Sequence, residues 1–502
     1  MKQVLVAVLT CLSFLGSANN DSVVVEWGER HNISESGFRY VFGVDEHEFY
    51  ARAMADVPRG KSPYLINKHD LKTGLVNETY VIPYPEEFEE KVTIERCSFI
   101  NDRVEIWISV FQAEIDKRVI YIGGMDKNGS FSPLKEIESF DGEEGVNIKS
   151  ANKGEDLFMF KYLTDERNKK QRLDLRLISK NGQPVWRKSV ILPYEDKYLN
   201  IKNLSMDRDG DVYIFGYQKL KRREVEEAYS KNSGQKYLLF KILEAEEVAE
   251  EVNLELEDKF VTSSSMKVDF LEGKIVVVGL YSDEVFFRAG GHFYVTVDKS
   301  QFKVDKKVVE PFPSDCLSMF ISERKAEKGK ELEYFYLNSF MNRGEGKSLI
   351  TAQQWFTSDP ETNGDKKYNR CNILLIKLDE DGHAIWRSGI LKDQKSASRK
   401  TEGLSYLLKT DGDDLLFLFN DHPKNIELRT KGKRLKETEN LKKATVTMAR
   451  VSSEGLVSYK HLWNNRELKW VLLPENCKYL QDDKVLIYGG YEREFRFGIM
   501  HF

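Results

Sequence analysis

Short, nearly continuous runs of apolar residues recur along the chain, separated by turns that contain Asp, Asn or Gly. These runs are short for helices and do not alternate with polar residues, so they predict strands that are covered on both faces. Eight of them lie mostly 52 to 63 residues apart, and each is preceded by a further short strand. The clearest span residues 211–217, 274–280, 414–419 and 484–490, and weaker copies begin near residues 48, 104, 156 and 332.

A hairpin follows these strands at regular places. Its best copies are Asn181-Gly-Gln-Pro-Val-Trp186-Arg187 and Asp381-Gly-His-Ala-Ile-Trp386-Arg387. Asn-Gly and Asp-Gly favour the positive φ angles of a tight type I′ turn, which joins two antiparallel strands. With five looser copies there are seven hairpins, at residues 64–82, 118–138, 173–192, 237–256, 292–309, 372–391 and 445–463.

Four short strands in each unit of this size predict an all-β fold, a β-propeller in which every unit forms one blade. The eighth unit ends at residue 502 without an outer strand, whereas residues 23–27 form an unassigned strand near the N-terminus. If this strand completes the last blade, eight four-stranded blades close into a ring that has no open edge. Seven blades are the alternative, because the first unit is poorly patterned.

The strand-Asp-Gly-x-x-x-Trp hairpin at residues 381–386 resembles blades of the quinoprotein-like propeller superfamily. The whole chain also resembles exported bacterial propeller proteins of unknown function. The resemblance is carried by degenerate repeats, so it implies the fold much more than an activity. Quinoprotein dehydrogenases of that superfamily have an adjacent pair of cysteines over the cofactor. This sequence has no adjacent cysteines, which counts against that enzyme.

The first 18 residues have the pattern of a secretory signal peptide. Lys2 precedes a mostly apolar stretch that ends at Gly16, and Gly16 and Ala18 supply the small residues of a cleavage site. We therefore expect cleavage near Ala18 and export to the periplasm or the cell exterior, with residues 19–502 forming a single propeller domain. A lipoprotein signal that ends at Cys11 is the alternative, although Thr10 fits poorly before a lipidated cysteine. No later stretch is apolar enough to predict a transmembrane segment.

Four cysteines remain after such a cleavage, and none are close in sequence: Cys97, Cys316, Cys371 and Cys477. In an oxidising compartment they allow three disulfide connectivities. Buried free thiols are the alternative.

Composition and motifs exclude several classes of function. The 502 residues contain 76 Lys and Arg against 81 Asp and Glu, for a net charge of -5, which excludes a strongly basic nucleic-acid-binding protein. The eight histidines have no zinc-binding spacing, and no nucleophile elbow, phosphate loop or dinucleotide motif is present. The Asp-rich segments 207–211 and 411–414 favour tight turns over calcium loops, because the twelfth position counted from Asp207 is Gln218. The sequence predicts no cofactor, no metal site and no catalytic residue.

Long insertions are the more useful indication of a site. They are expected between the second and third strands of a blade, at residues 218–236, 282–291, 340–371 and 421–444. In a propeller these loops emerge on the same face as the connections between blades, and loops on a rigid scaffold commonly carry binding sites. The candidate ligand-binding residues are Arg343, Trp355, Phe356 and His422. A basic run that includes Lys433 and Arg434 lies in the last insertion, for which a solvated loop is the alternative interpretation.

The resulting hypothesis is an exported binding scaffold whose partner is a protein or a glycan. The alternative is an enzyme that acts on glycans, a hydrolase or lyase, with carboxylates from different blades converging at the central channel.

Overall fold

The computed structural model describes residues 23–32, 38–54, 64–84, 92–100, 102–151, 156–179, 182–220, 234–244, 246, 249–256, 258–269, 273–342, 347–358, 366–396, 403–480, 484–492 and 494–502. The expected signal peptide, residues 1–18, and the candidate residue Arg343 lie outside this part of the chain, as does most of the insertion 218–236. Among the described residues no helix is both long and apolar enough to cross a membrane.

Eight antiparallel sheets follow one another along the chain and form the blades of a propeller, as predicted. Strand β1 (Val24–Asn32) belongs to the last blade, and β2 to β32 build blades 1 to 7. The strands of blades 1 to 4 are β2–β5 (Phe38–Val44, Glu48–Met54, Tyr64–Asp70, Val76–Val81), β6–β9 (Val92–Ile100, Arg103–Gln112, Lys117–Met125, Lys135–Asp141), β10–β13 (Asn147–Ala151, Asp156–Thr164, Lys170–Ser179, Pro184–Glu195) and β14–β17 (Leu199–Met206, Val212–Lys219, Gln235–Ile242, Ala249–Asn253).

Blades 5 to 7 carry additional short strands. Blade 5 contains β18, β19, β21 and β22 (Phe260–Asp269, Lys274–Ser282, Gly291–Asp298, Lys303–Pro311), and a small separate sheet pairs β20 with β23 (Arg288–Ala289, Leu332–Glu333). Blade 6 contains β24–β28 (Phe335–Asn342, Ser348–Ser358, Lys367–Leu378, Ala384–Ile390, Gln394–Ser396), and blade 7 contains β29–β32 (Leu407–Asp411, Asp414–Asp421, Thr445–Val451, Val457–Asn464).

The ring closes in blade 8, where both ends of the described chain share one sheet. This blade orders β1, β36 (Glu494–His501), β35 (Lys484–Tyr491) and β33 (Val471–Leu472), and β34 (Lys478–Tyr479) also pairs with β35. The register pairs Val24 with His501 and Trp27 with Gly498. The predicted closure by the N-terminal strand is therefore confirmed, and the count of eight blades is right.

Alternating faces of the second strand of each blade bind it to both neighbours. In β15, Val212 and Ile214 pack against Phe158 of blade 3. Tyr213 and Phe215, on the other face, pack against Ile275 and Val277 of blade 5. Because both faces are buried, these strands are apolar at every position, which is the pattern seen in the sequence.

The repeated Trp-Arg hairpin also joins neighbouring blades. Arg387 donates to Glu310 of the preceding blade at 2.6 Å, and Arg187 donates to Glu138 of its preceding blade at 2.7 Å. The Trp386 Nε1–H donates to the carbonyl of Ser453 in the following blade at 2.8 Å. One hairpin thus contacts both neighbours, which explains why this segment repeats so well.

The turn of that hairpin differs from the predicted type I′. Only the glycine has a positive φ, +91° at Gly382, while Asp381 does not. The Asp379 N–H donates to the carbonyl of His383, and the strand register shifts between Lys377 and Leu378. The connection is therefore a longer loop with an adjacent bulge, which needs one left-handed residue instead of two.

Blade 6 corrects one of the predicted insertions. The described residues of the range 340–371 are largely strand, because β25 and the first part of β26 lie within it. The weak run near Leu332 is not the second strand of this blade; it leads into the inner strand β24. The insertion 421–444 is a connection between β30 and β31, as expected, and contains the helix Asn425–Thr430 and a 3-10 turn at Leu441–Lys443.

The described part of the chain also contains the short helices Ser314–Ser318, Glu323–Ala326 and Asn465–Leu468, which the sequence pattern does not predict. Each has four or five residues, too few to produce a helical periodicity. Two further 3-10 turns lie at Asp196–Tyr198 and Pro474–Asn476.

Candidate functional site

The candidate site lies on the face where the second strand of each blade connects to the third and where one blade leads to the next, here called the long-loop face. Trp355 and Phe356 lie near the end of β25 that reaches this face, and not in a loop. His422 begins the insertion of blade 7, where its Nδ1 accepts a hydrogen bond from the Lys424 N–H at 3.2 Å and burial lowers its pKa.

Three stacked aromatic rings form what we call the aromatic platform: Phe287, Tyr334 and Phe356. The ring centroids of Phe287 and Tyr334 lie 5.4 Å apart, and those of Tyr334 and Phe356 lie 5.2 Å apart. The interplanar angles are 21° and 29°, so the three rings form a continuous offset stack. Phe287 is 36% exposed, which leaves the platform open to a ligand.

Trp355 forms a second aromatic group beside the platform. It is 43% exposed, its ring lies 5.1 Å from that of Tyr336, and the Arg370 guanidinium lies 5.1 Å from its centroid. Adjacent residues of a strand point to opposite sides, so Trp355 and Phe356 face different neighbours. The sequence identified both residues but not their partners.

The backbone under the platform is fixed by an unusual local structure. Strands β20 and β23 pair Arg288 with Glu333, which places Phe287 next to Tyr334. The Tyr334 N–H donates to the carbonyl of Phe287 at 2.7 Å. Tyr334 has a φ of +63°, a strained conformation for a bulky aromatic residue. Strain of this kind costs about 1–3 kcal/mol and is concentrated at functional sites, so the ring is held at this position by its surroundings.

A cavity of about 410 Å³ adjoins the platform between blades 6 and 7, and we call it the basic cavity. Phe356 belongs to both the platform and the cavity wall. The cations that line the cavity are Lys392, Lys395, Lys433 and Arg434, and Asp393 is the carboxylate in its wall. His422 is not part of the wall.

Lys392 is the most deeply buried of these cations. Its Nζ donates to the carbonyl of Leu404 at 2.9 Å and to the side-chain oxygen of Gln394. Burial lowers its pKa to about 7, so that the ammonium and the neutral amine are both populated near neutral pH. Burial also raises the pKa of Asp393, whose carboxylate lies 3.6 Å from the Cys371 sulfur.

The insertion 421–444 is anchored so that its basic residues reach the cavity. Asp421 and Arg429 form an ion pair at 2.7 Å, and their side chains are only 1% and 5% exposed. A parallel bridge then joins Gln394 to Thr438. Glu437 of the insertion pairs with Lys395 of blade 6 at 2.5 Å. The cations that the insertion itself contributes to the wall are Lys433 and Arg434.

The cysteines and the acidic turns supply no further chemistry. The four cysteines of the described part of the chain are free thiols, and burial raises the pKa of each to about 12. Asp207 accepts from the N–H groups of Asp209 and Asp211, and Lys299 of blade 5 pairs with Asp207 at 2.6 Å. Within the described ranges, no group of three or more His, Cys, Asp or Glu side chains is placed to hold a metal ion.

Several residues of the site escape sequence reasoning. Phe287 and Tyr334 lie 47 residues apart in the chain and meet only because two short strands pair across blades. Lys392 looks like an ordinary surface lysine in the sequence. The Phe286-Phe287 pair in the insertion 282–291 was the one available signal, because adjacent aromatic residues in a polar loop indicate a contact surface.

Comparisons with known proteins locate only distant similarities. No protein-family model and no curated protein matches the sequence. The WD40 domain of SCAP from fission yeast is similar over 98% of this chain and 97% of its own, at 9% identity and a TM-score of 0.42. A prolyl endopeptidase structure matches 92% of this chain at 11% identity and a TM-score of 0.40, but the match spans 55% of its own chain. An acylaminoacyl peptidase from Pyrococcus horikoshii matches 90%, at 10% identity and a TM-score of 0.34, over 57% of its length.

Proposed function

We propose that the protein is a binding propeller that holds an acidic glycan on its long-loop face. The observation that carries the proposal is the continuity of the aromatic platform with the basic cavity through Phe356. Sugar rings present C–H groups that pack on exposed aromatic faces, and the carboxylates of uronic acids pair with Lys and Arg. A ligand with both features matches both parts of the site.

The number of carboxylates in the cavity wall favours binding over glycan cleavage. Glycosidases place two carboxyl groups on either side of the scissile bond. Asp393 is the single carboxylate in the described wall of the cavity, and the Cys371 sulfur lies beside it. The cations outnumber it, which suits retention of an acidic ligand and not general acid–base catalysis.

Two sequence patterns support the proposal less directly, one for export and one for the origin of the fold. The signal-peptide pattern of residues 1–18 supports a periplasmic or extracellular protein that meets glycans outside the cytoplasm. The Asp-Gly-x-x-x-Trp hairpin supports a relation to the quinoprotein-like propellers in fold alone.

The experiment is calorimetry of residues 19–502 with oligogalacturonate and, in parallel, with neutral oligosaccharides. We expect binding of the acidic oligomer and its loss at high salt. Phe287→Ala should weaken it by roughly tenfold, because an aromatic contact at a binding site is worth about 1–2 kcal/mol. Lys433→Gln combined with Arg434→Gln should weaken it by a similar factor.

Two variants serve as matched controls. Lys431→Gln removes a cation from the same insertion that pairs with Glu427 and does not line the cavity, and Tyr479→Ala removes an exposed aromatic ring from blade 8. Neither should change the affinity. Failure of every acidic and neutral glycan to bind would refute the proposal and leave a protein partner as the occupant of this face.

A further inference from the structure

A second feature lies at the inner strands, which surround the central channel. Each inner strand pairs with the second strand of its blade, so one register position can be compared in all eight blades. Along each second strand, we take the first residue that packs on the following blade. The position compared is the partner of that residue in the inner strand. In blade 3, for example, this is Lys149, which pairs with Phe158.

Four lysines occupy this one position. Lys267 pairs with Val276 in blade 5, Lys409 with Leu416 in blade 7, and Lys478 with Leu486 in blade 8. Gly43, Ser205 and Met341 occupy this position in blades 1, 4 and 6, and the equivalent residue of blade 2 is Ser98, which lies opposite the carboxylate Glu105. Equivalent positions of equivalent strands lie at one level of a propeller, so the four cations surround the channel at one height.

Two of these lysines have neutral neighbours. The Lys149 Nζ donates to the carbonyl of Leu204 in the next inner strand at 2.8 Å and lies 5.4 Å from the Phe160 ring. The Lys267 Nζ lies 5.3 Å from the ring of Phe340, also in the next blade. Burial lowers the pKa of both groups, which shows that their charge is poorly compensated.

Acidic residues in the turns after the inner strands pair with other cations. Glu48 pairs with Lys68 at 2.8 Å, Asp207 and Asp209 pair with Lys299, and Asp411 and Asp414 pair with Arg450. These partners lie in third strands or in the turns beyond them, away from the inner strands. These five carboxylates are therefore drawn outward, away from the lysine positions of the inner strands.

We propose that this level of the channel, which we call the lysine level, binds a compact polyanion that carries several phosphate or sulfate groups. The lysines come from blades 3, 5, 7 and 8, on different sides of the axis, so a ligand that reaches them all must carry charge in several directions. A lysine ammonium is a flexible point charge that suits such tetrahedral oxyanions, whereas planar recognition of carboxylates favours arginine. This proposal is independent of the glycan site on the long-loop face.

The test is calorimetric titration of residues 19–502 with inositol hexakisphosphate and, as the sulfate arm, inositol hexasulfate. We expect a single site whose affinity falls steeply with ionic strength. Each of the substitutions Lys149→Met, Lys267→Met, Lys409→Met and Lys478→Met should weaken binding by about tenfold, because each removes one charged hydrogen-bond donor. The quadruple variant should not bind.

Lys202→Met is the matched control, because Lys202 also belongs to an inner strand but lies at a bulge away from this level. It should leave the affinity unchanged, and the circular dichroism of all variants should match the parent protein. Stronger binding in one arm identifies phosphate or sulfate as the natural group. No binding in either arm, or equal losses in the control and the four variants, would overturn the proposal and mark any residual uptake as adventitious.

Discussion

Lys392 combines two properties that rarely coexist in one side chain, because it is a lysine that is 1% exposed and yet lines a cavity. Its Nζ is surrounded by the carbonyls of Leu404 and Ser405 and the side chain of Gln394. These three acceptors match the three N–H groups of an ammonium, but burial penalises its charge and lowers the pKa of Lys392 to about 7. The residue therefore links the electrostatics of the cavity to the stability of blades 6 and 7.

The pH dependence of stability follows from the direction of that pKa shift. Above pH 7 the folded protein loses the Lys392 proton, whereas the unfolded chain keeps it up to the ordinary pKa of 10.5. The unfolded state then binds more protons, so stability should rise with pH from about 7 towards 10. Urea unfolding at pH 7.0 and pH 9.0 should show a larger gain for the parent protein than for Lys392→Met.

Lys395→Met is the control for this measurement, because Lys395 lines the same cavity but pairs with Glu437, and its pKa is raised instead of lowered. It should retain the gain between the two pH values. An identical pH dependence in the parent and in Lys392→Met would show that the amine keeps its proton throughout.

At the scale of elements, the insertion 421–444 depends on one buried ion pair. Removing one partner of a buried pair leaves the other charge without compensation and costs about 3–5 kcal/mol. We expect Arg429→Met to lower the free energy of unfolding by about 3 kcal/mol, because Asp421 would keep the hydrogen bond from the Asn425 amide but lose its paired cation. Trypsin should then cut within residues 424–436 more rapidly.

Lys431→Met tests the same helix without the buried charge. Lys431 pairs with Glu427 across one turn, and both side chains are more than half exposed. Exposed pairs of this kind are worth about 0.3–0.5 kcal/mol, so stability and cleavage should change little. Equal effects of the two substitutions would show that the insertion is held by its helix and not by the ion pair.

The elements also show what the sequence can and cannot predict. The hairpins and the apolar second strands are visible because local turn chemistry and burial on both faces leave a direct pattern. Blade 6 was misassigned because the weak run near Leu332 leads into the inner strand β24 and was taken for the second strand. The true second strand, β25, then fell within an apparent loop. The aromatic platform and the lysine level bring together residues of different blades, so the sequence shows single members, such as the Phe286-Phe287 pair, but not the groups that they form.

At the scale of the whole molecule, the ring is closed by the contacts of β1 together with the packing of blade 8 on blade 1, where the ring centroids of Phe497 and Phe49 lie 4.6 Å apart. Trp27 of β1 contacts the rings of Trp463 and Trp470, whose centroids lie 5.7 and 4.8 Å from its own. Arg496 of β36 donates to the carbonyl of Gly28 at 2.7 Å and lies over the Trp27 ring. The Glu29 N–H donates to the carbonyl of Thr73 in blade 1, so β1 joins the last blade to the first.

Removing β1 should therefore weaken the closure of the ring, because only the packing of blade 8 on blade 1 would then hold it. A chain that starts at residue 33 exposes the edge of β36 and the apolar face that Trp27 covers, and an unpaired edge strand is a template for pairing with another chain. We expect its thermal midpoint to fall by roughly 5–10 °C relative to a chain that starts at residue 19, and we expect dimers or larger species in sedimentation. A synthetic peptide of residues 23–32 should restore the midpoint by adding the missing strand in trans, whereas the same peptide with Trp27→Ala should not. A midpoint and monomeric state unchanged by the deletion would mean that blade 8 is complete with three strands and that closure contributes little to stability.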